Sequence, residues 1–228
     1  MLRKKLYYLF YFFLFFIISC EGNYDYLNKK KGETIFYEVI FINKEKKKNI
    51  YRQSYSFLPR NKNFLPAIKS NGEIIVFSQD ENGITRTNLK GNSIEINDKK
   101  NKSSKVILAF PVTEGTKWSS EDKTTLQMKL GYDRVYNTNL EFTAESVIEK
   151  TNDVVSINNK KIEDCIKITS YGKTSFDPGP PLSNIKIEVT SVTWYSKNLG
   201  IVKYKREEKS DSETMGTILY EKTMIFDS

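Results

Sequence analysis

From about residue 33 onward, nearly every periodic stretch of this chain reads as β-strand, and the C-terminal third alternates clearly with period two. In "IKIEVTSVTWYS" (185–196), Ile185, Ile187 and Val189 share one face, with lysine and glutamate between them. In "TILYEKTMIF" (217–226), Ile218, Tyr220, Met224 and Phe226 fall on one side. Successive side chains of a strand point to opposite faces, so this pattern marks antiparallel strands with one dry and one wet face. "TIFYEVIFI" (34–42) and "KIEDCIKITSY" (161–171) add β-branched and aromatic runs. Helical signals are scarce. "EDKTTLQMKLGYD" (121–133) has room for a helical turn, although its threonines suit a strand equally well.

Turn signals punctuate the runs. Asn82-Gly83, Gly91-Asn92, Asn158-Asn159 and Asn198-Leu199-Gly200 each fit a tight reversal. Pro59, Pro66, Pro111 and "DPGPP" (177–181) are expected where the chain bends or changes sheet. Some nine to twelve strands result, and such a chain must cover or close its sheet edges. The expected fold is all-β: a mainly antiparallel curved sheet, half-barrel or barrel-like. It occupies residues 34–228, with sub-lobes at 34–104 and 105–228 as one possible division.

The first twenty residues read differently. Arg3, Lys4 and Lys5 precede "LYYLFYFFLFFII" (6–18), thirteen residues without a charge, followed by Ser19 and Cys20. A signal-peptide core has this length, whereas a spanning helix needs ~20 apolar residues. The order resembles a bacterial lipoprotein signal, in which the cysteine is acylated and begins the mature chain. Residues 1–19 are then the signal peptide, Cys20 the lipid attachment site and 20–33 a tether. Buried acyl chains contribute ~0.8 kcal/mol per methylene to holding such a chain on a bilayer. The expected address is the bacterial cell envelope, facing the periplasm or the exterior. Glu21 is not the familiar aspartate retention signal, which points toward the outer membrane.

Composition excludes several chemistries. The chain has no histidine, which removes the usual general base near neutral pH, the usual zinc ligand and any Ser-His-Asp arrangement. Its second cysteine, Cys165, sits in a strand-like run and reads as a small packing residue. Net charge is +8, three of it from Arg3, Lys4 and Lys5. The densest basic runs, "NKEKKKN" (43–49) and "NDKKNKSSK" (97–105), read as solvated hairpin tips, and no nucleic-acid partner is expected. Glu207-Glu208 in "KREEKSDSE" reads as an exposed hairpin tip. No catalytic residue, cofactor or metal site is expected.

Three stretches stand out together. They are Phe110, Pro111, Gly115 and Trp118 in "FPVTEGTKW"; Cys165 and Lys167 in "DCIKI"; and Trp194, Tyr195, Gly200 and Val202 in "WYSKNLGIVKYK". Over residues 105–206 these motifs resemble the TapB-like group of bacterial lipoproteins. Val112, Glu114 and Ser120 depart from that pattern at positions that touch packing more than chemistry. The resemblance implies a fold and an envelope address, and it carries over no catalytic site.

Trp118, Trp194 and Tyr195 are the candidate ligand-contacting residues, since large aromatic faces suit either a sheet corner or a groove. Phe110, Pro111, Gly115, Cys165 and Gly200 are structural candidates. The expected function is a non-catalytic lipoprotein that binds an apolar ligand or lipid on a curved sheet, its partner the bilayer through Cys20. The alternative is an interaction module that contacts an envelope protein or glycan; a hydrolase comes third. A carrier requires an apolar cavity on the concave face, an interaction module a filled core with an open edge, and a hydrolase convergent carboxylates.

Overall fold

A computed structural model describes residues 25–89, 102–130, 134–177, 179, 184–212 and 216–226, with backbone alone at 102–103, 126–130 and 134–138. Cys20, residues 1–19 read as a signal peptide, the Gly91-Asn92 turn, most of "DPGPP" and most of the 97–105 basic run lie outside the described residues. Twelve strands form one antiparallel sheet. They are β1 (Thr34–Ile42), β2 (Lys48–Phe57), β3 (Phe64–Lys69), β4 (Ile74–Asp80), β5 (Gly83–Leu89) and β6 (Lys102–Ala109) in the first half. The second half holds β7 (Lys117–Leu130), β8 (Arg134–Ile157), β9 (Lys160–Phe176), β10 (Ile185–Ser196), β11 (Gly200–Ser210) and β12 (Thr217–Ile225). No helix among the described residues is long and apolar enough to cross a membrane.

The order is β6-β5-β4-β3-β2-β1-β12-β11-β10-β9-β8-β7. Every neighbour is a sequence neighbour except β1 and β12, which pair from Phe36↔Ile225 to Ile42↔Leu219 and join the two halves. The sheet curls nearly into a barrel, leaving β6 and β7 as its two edges. Those edges face each other without a ladder: Trp118 Nε1 donates to Val106 O at 3.2 Å, and Lys105 pairs with Asp122. "FPVTEGTKW", whose Phe110–Pro111 bond is cis, thus links the two edges of the seam. The all-β, barrel-like expectation holds, and 121–130, where a helical turn had room, runs to the end of strand β7.

Alternation sends one parity of each strand inward. At one end of the barrel the inward set is apolar and closely packed. Leu65, Ile84, Leu108, Ile148 and Val202 are fully buried there, and each contributes ~1.5–3 kcal/mol by leaving water. Residues 25–33, the later part of the stretch read as a tether, cap this end. Leu27 is buried, Tyr26 packs on Phe110 at 5.4 Å, and Tyr195 Oη donates to Tyr26 O at 2.8 Å. A second cluster, with Phe142, Ala144, Ile185, Ile187 and Val189, lies along the long strands β8 to β10. Register shifts between Ile148 and Val155 bend β8, as bulges do.

Turn chemistry follows the sequence with two differences. Asn158 (φ 47°) and Asn159 (φ 65°) make the expected left-handed pair between β8 and β9, and Gly200 (φ 77°) closes the β10–β11 turn. At Asn82-Gly83 the reversal occurs one residue earlier, since Asp80 pairs with Gly83 across Glu81-Asn82. Asp80 Oδ1 accepts from the amides of Asn82 and Gly83 at 2.8 and 3.1 Å, so an Asx turn does the reversing. Gly83 is needed for close approach instead: a Cβ there would stand 2.2 Å from Leu108 O. Pro66 lies within β3, where a bend was expected. Its carbonyl accepts from Leu58 N at 2.9 Å, so its missing N–H points where β2 has already ended.

Candidate functional site

Toward the barrel's middle the inward parity turns polar. Gln53 and Tyr55 on β2, Lys69 on β3, Arg86 and Asn88 on β5, and Tyr220 and Lys222 on β12 enclose a chamber of about 290 Å³. Tyr204 and Arg206 on β11 and Trp118 on β7 complete the far wall. A smaller recess of about 50 Å³ runs toward the capped end, against Leu27, Ile35, Phe57, Leu65 and Phe77. Chamber and recess share Tyr55, Arg86, Ile107, Ile201 and Lys222. The junction between the wet and dry parts is thus marked by two cations.

Lys222 is the most unusual of these groups. It is 6% exposed, and its Nζ lies 4.5 Å from the Tyr37 ring centroid and 4.9 Å from that of Tyr55. Its polar contact is Tyr55 Oη at 3.4 Å. Burial, then the nearby charges of Arg86 and Lys69, push the ammonium down to about 7. The two tyrosines meet edge to face at 5.5 Å, and Tyr37 Oη donates to Ile201 O at 2.8 Å. Arg86 Nε is buried without a hydrogen-bond partner. Lys69, by contrast, is paired with Glu73.

On the far wall the charges are compensated. Arg206 reaches Asp122 at 3.0 Å and Glu208 at 2.6 Å, and its Nη2 donates to Lys123 O at 2.8 Å. Lys105 also pairs with Asp122, while Thr124 Oγ1 donates to Glu208. Burial opposes the charge on Asp122, but Lys105 and Arg206 outweigh it and hold the carboxyl below its usual range. This network ties β6, β7 and β11 together across the lumen, and it includes the seam. Glu208 is therefore no exposed hairpin tip: β11 continues through it, and Tyr204, Arg206 and Glu208 all point inward. Among the described residues, no group of three or more acidic or cysteine side chains is gathered as a metal site.

The three aromatic candidates separate. Trp118 faces the chamber, and Tyr195 lines the recess with its phenol buried and held well above its usual range by burial, then by Tyr26 and Asp25. Trp194 has the opposite parity. It sits between Lys203 and Lys167, half-buried against the core, and donates from Nε1 to Asp153 Oδ2 at 2.9 Å. Cys165 is fully buried, and burial, then Asp153 and Asp164, push its thiol up to about 11. Gly115 donates to Ile148 O at 2.8 Å in the β6–β7 connection. Lys167 pairs with Glu149 at 2.7 Å on the outside.

The chamber's cations went unrecognised in the sequence, although one signal was present. In "TILYEKTMIF" the dry face reads Ile218, Tyr220, then Lys222, then Met224 and Phe226. A lysine interrupting an apolar stripe at the inward parity marks a buried charge. Compared with known proteins, the chain matches no family, no curated protein and no solved structure.

Proposed function

We propose that this chain is a non-catalytic envelope lipoprotein, anchored through acylated Cys20, whose barrel interior holds a small amphiphilic ligand. The observation that carries this reading is the chamber and recess meeting at Tyr55, Arg86 and Lys222. Ligand pockets usually combine apolar walls with convergent polar groups; here the recess supplies an apolar wall and the chamber the polar groups, and 290 Å³ is just below the usual ~300–1,000 Å³. A purely apolar cargo fits less well than one with a polar end, because only the recess is dry. Asp25, the first described residue of the cap, is five residues from Cys20. Five residues span at most ~18 Å, so an acylated Cys20 would keep the capped end close to the headgroups. The motif resemblance to TapB-like lipoproteins supports the same address.

Catalysis is disfavoured by the pairing of the inward carboxylates. Asp122 and Glu208 converge on Arg206 rather than on open space. The interaction-module reading draws on the seam, where β6 and β7 present edges that no ladder joins. Native mass spectrometry of the protein extracted in mild detergent separates the two. A bound small molecule released on denaturation supports the carrier. A bare mass together with a co-extracted envelope protein or glycan supports the module and rejects the carrier.

A further inference from the structure

We infer that the cargo's polar end is an oxyanion, a carboxylate or phosphate, seated between Arg86 and Lys222 with its apolar part along Ile75, Ile107 and Ile168. This rests on the carrier reading and names its ligand class.

Charge balance in the lumen leads there. The chamber is lined by five cationic side chains, Lys69, Arg86, Lys105, Arg206 and Lys222, and one carboxylate, Asp122. Lys105 and Arg206 are answered by Asp122 and Glu208, and Lys69 by Glu73. Arg86 and Lys222 are left. Neither forms an ion pair among the described residues, and Glu73, whose carboxylate feels Arg86 through space, is already held by Lys69. Lys222 is buried and Arg86 half-buried with its Nε shut off from solvent; an uncompensated buried cation costs several kcal/mol, and a second cation near it adds repulsion.

An oxyanion answers both at once. It would accept from the unpartnered Arg86 Nε and from Lys222 Nζ, with the Tyr55 hydroxyl beside it. Charge-assisted bonds of this kind are about twice as strong as neutral ones. The wall around them supplies the rest of the ligand's contacts: Ile75, Ile107 and Ile168 line the chamber with Trp118. The recess behind adds little length. A single water needs ~10–15 Å³ on this measure, so its 50 Å³ takes only a few heavy atoms. The bulk of the ligand lies in the chamber.

Isothermal titration calorimetry on delipidated full-length protein tests this with octanoate, octyl phosphate, 1-octanol, acetate and inorganic phosphate as probes. The inference expects at least one of the two charged eight-carbon probes to bind ten-fold or more tightly than octanol and than its own free anion. Which of the two binds better separates a carboxylate from a phosphate headgroup. Lys222→Met and Arg86→Met should each weaken that binding ten-fold or more and leave octanol unchanged, with circular dichroism confirming the fold of both variants. Octanol binding as tightly as the charged probes, or affinity surviving both substitutions, overturns the anion site and leaves the carrier intact. A free anion matching its eight-carbon counterpart overturns the amphiphile. Absence of binding by every probe, with a bare native mass, overturns the carrier as well.

Discussion

Lys222→Met should stabilise the empty barrel and remove a pH dependence that few surface lysines could produce. An ordinary lysine titrates at 10.5, and this one is pushed down to about 7 by burial, Arg86 and Lys69. Each tenfold change in proton affinity is worth ~1.4 kcal/mol, so charging Lys222 in the folded state costs on the order of 5 kcal/mol. The folded value lies below the unfolded one, so between pH 7 and 10.5 the unfolded chain binds the extra proton. Stability therefore rises with pH across that window and is flat below it. From pH 6 to pH 9 the wild type should gain roughly 2–3 kcal/mol relative to the variant, nearly all of it above pH 7. Urea unfolding of both proteins at pH 6, 7.5 and 9 in chloride buffer, with equal m-values, reads this directly. Parallel stability profiles would refute the buried, uncompensated ammonium. So would a variant less stable than wild type at pH 6.

Three further outcomes follow from the same framework. Gly83→Ala should cost about 2–3 kcal/mol, because its φ of 145° and the 2.2 Å approach to Leu108 O leave no place for a methyl group; thermal melts measure it. Asp122→Asn should cost on the order of 3 kcal/mol by leaving Lys105 unanswered and Arg206 with Glu208 alone. It should also remove an acid sensitivity, since the contribution of Asp122, whose folded value is depressed, is present above the ordinary carboxylate range and lost as pH falls through the folded value; acid titration of both proteins by circular dichroism checks this. Labelled palmitate should be incorporated into the wild type and not into Cys20→Ser, which should leave the membrane fraction; equal labelling and equal partition would end the anchoring proposal.

The strands were legible because their inward residues are mostly apolar. "IKIEVTSV" announces its buried face, and "TIFYEVIFI" is dense in β-formers. Closure was legible only as a requirement, since no local pattern says that β1 will pair with β12 across the length of the chain. The site was hidden for a related reason. Where the barrel is wet inside, alternation between dry and wet faces vanishes: in "YKREEKS" both parities carry charge, and Glu208 looked like a surface residue although its side chain is 17% exposed. Trp194 misled in the other direction. Adjacent residues on a strand face opposite ways, so Trp194 and Tyr195 were never able to line one pocket.

The most direct test places a ligand in the lumen. Isotope-filtered nuclear Overhauser spectra of ¹³C-labelled octanoate with the delipidated protein should show contacts from the alkyl chain to the methyl groups of Ile75 and Ile107 and to the Trp118 indole. Contacts confined to outward residues such as Ile50 and Leu219, or none from saturating octanoate and none from labelled octyl phosphate in its place, would contradict a barrel that carries its cargo inside.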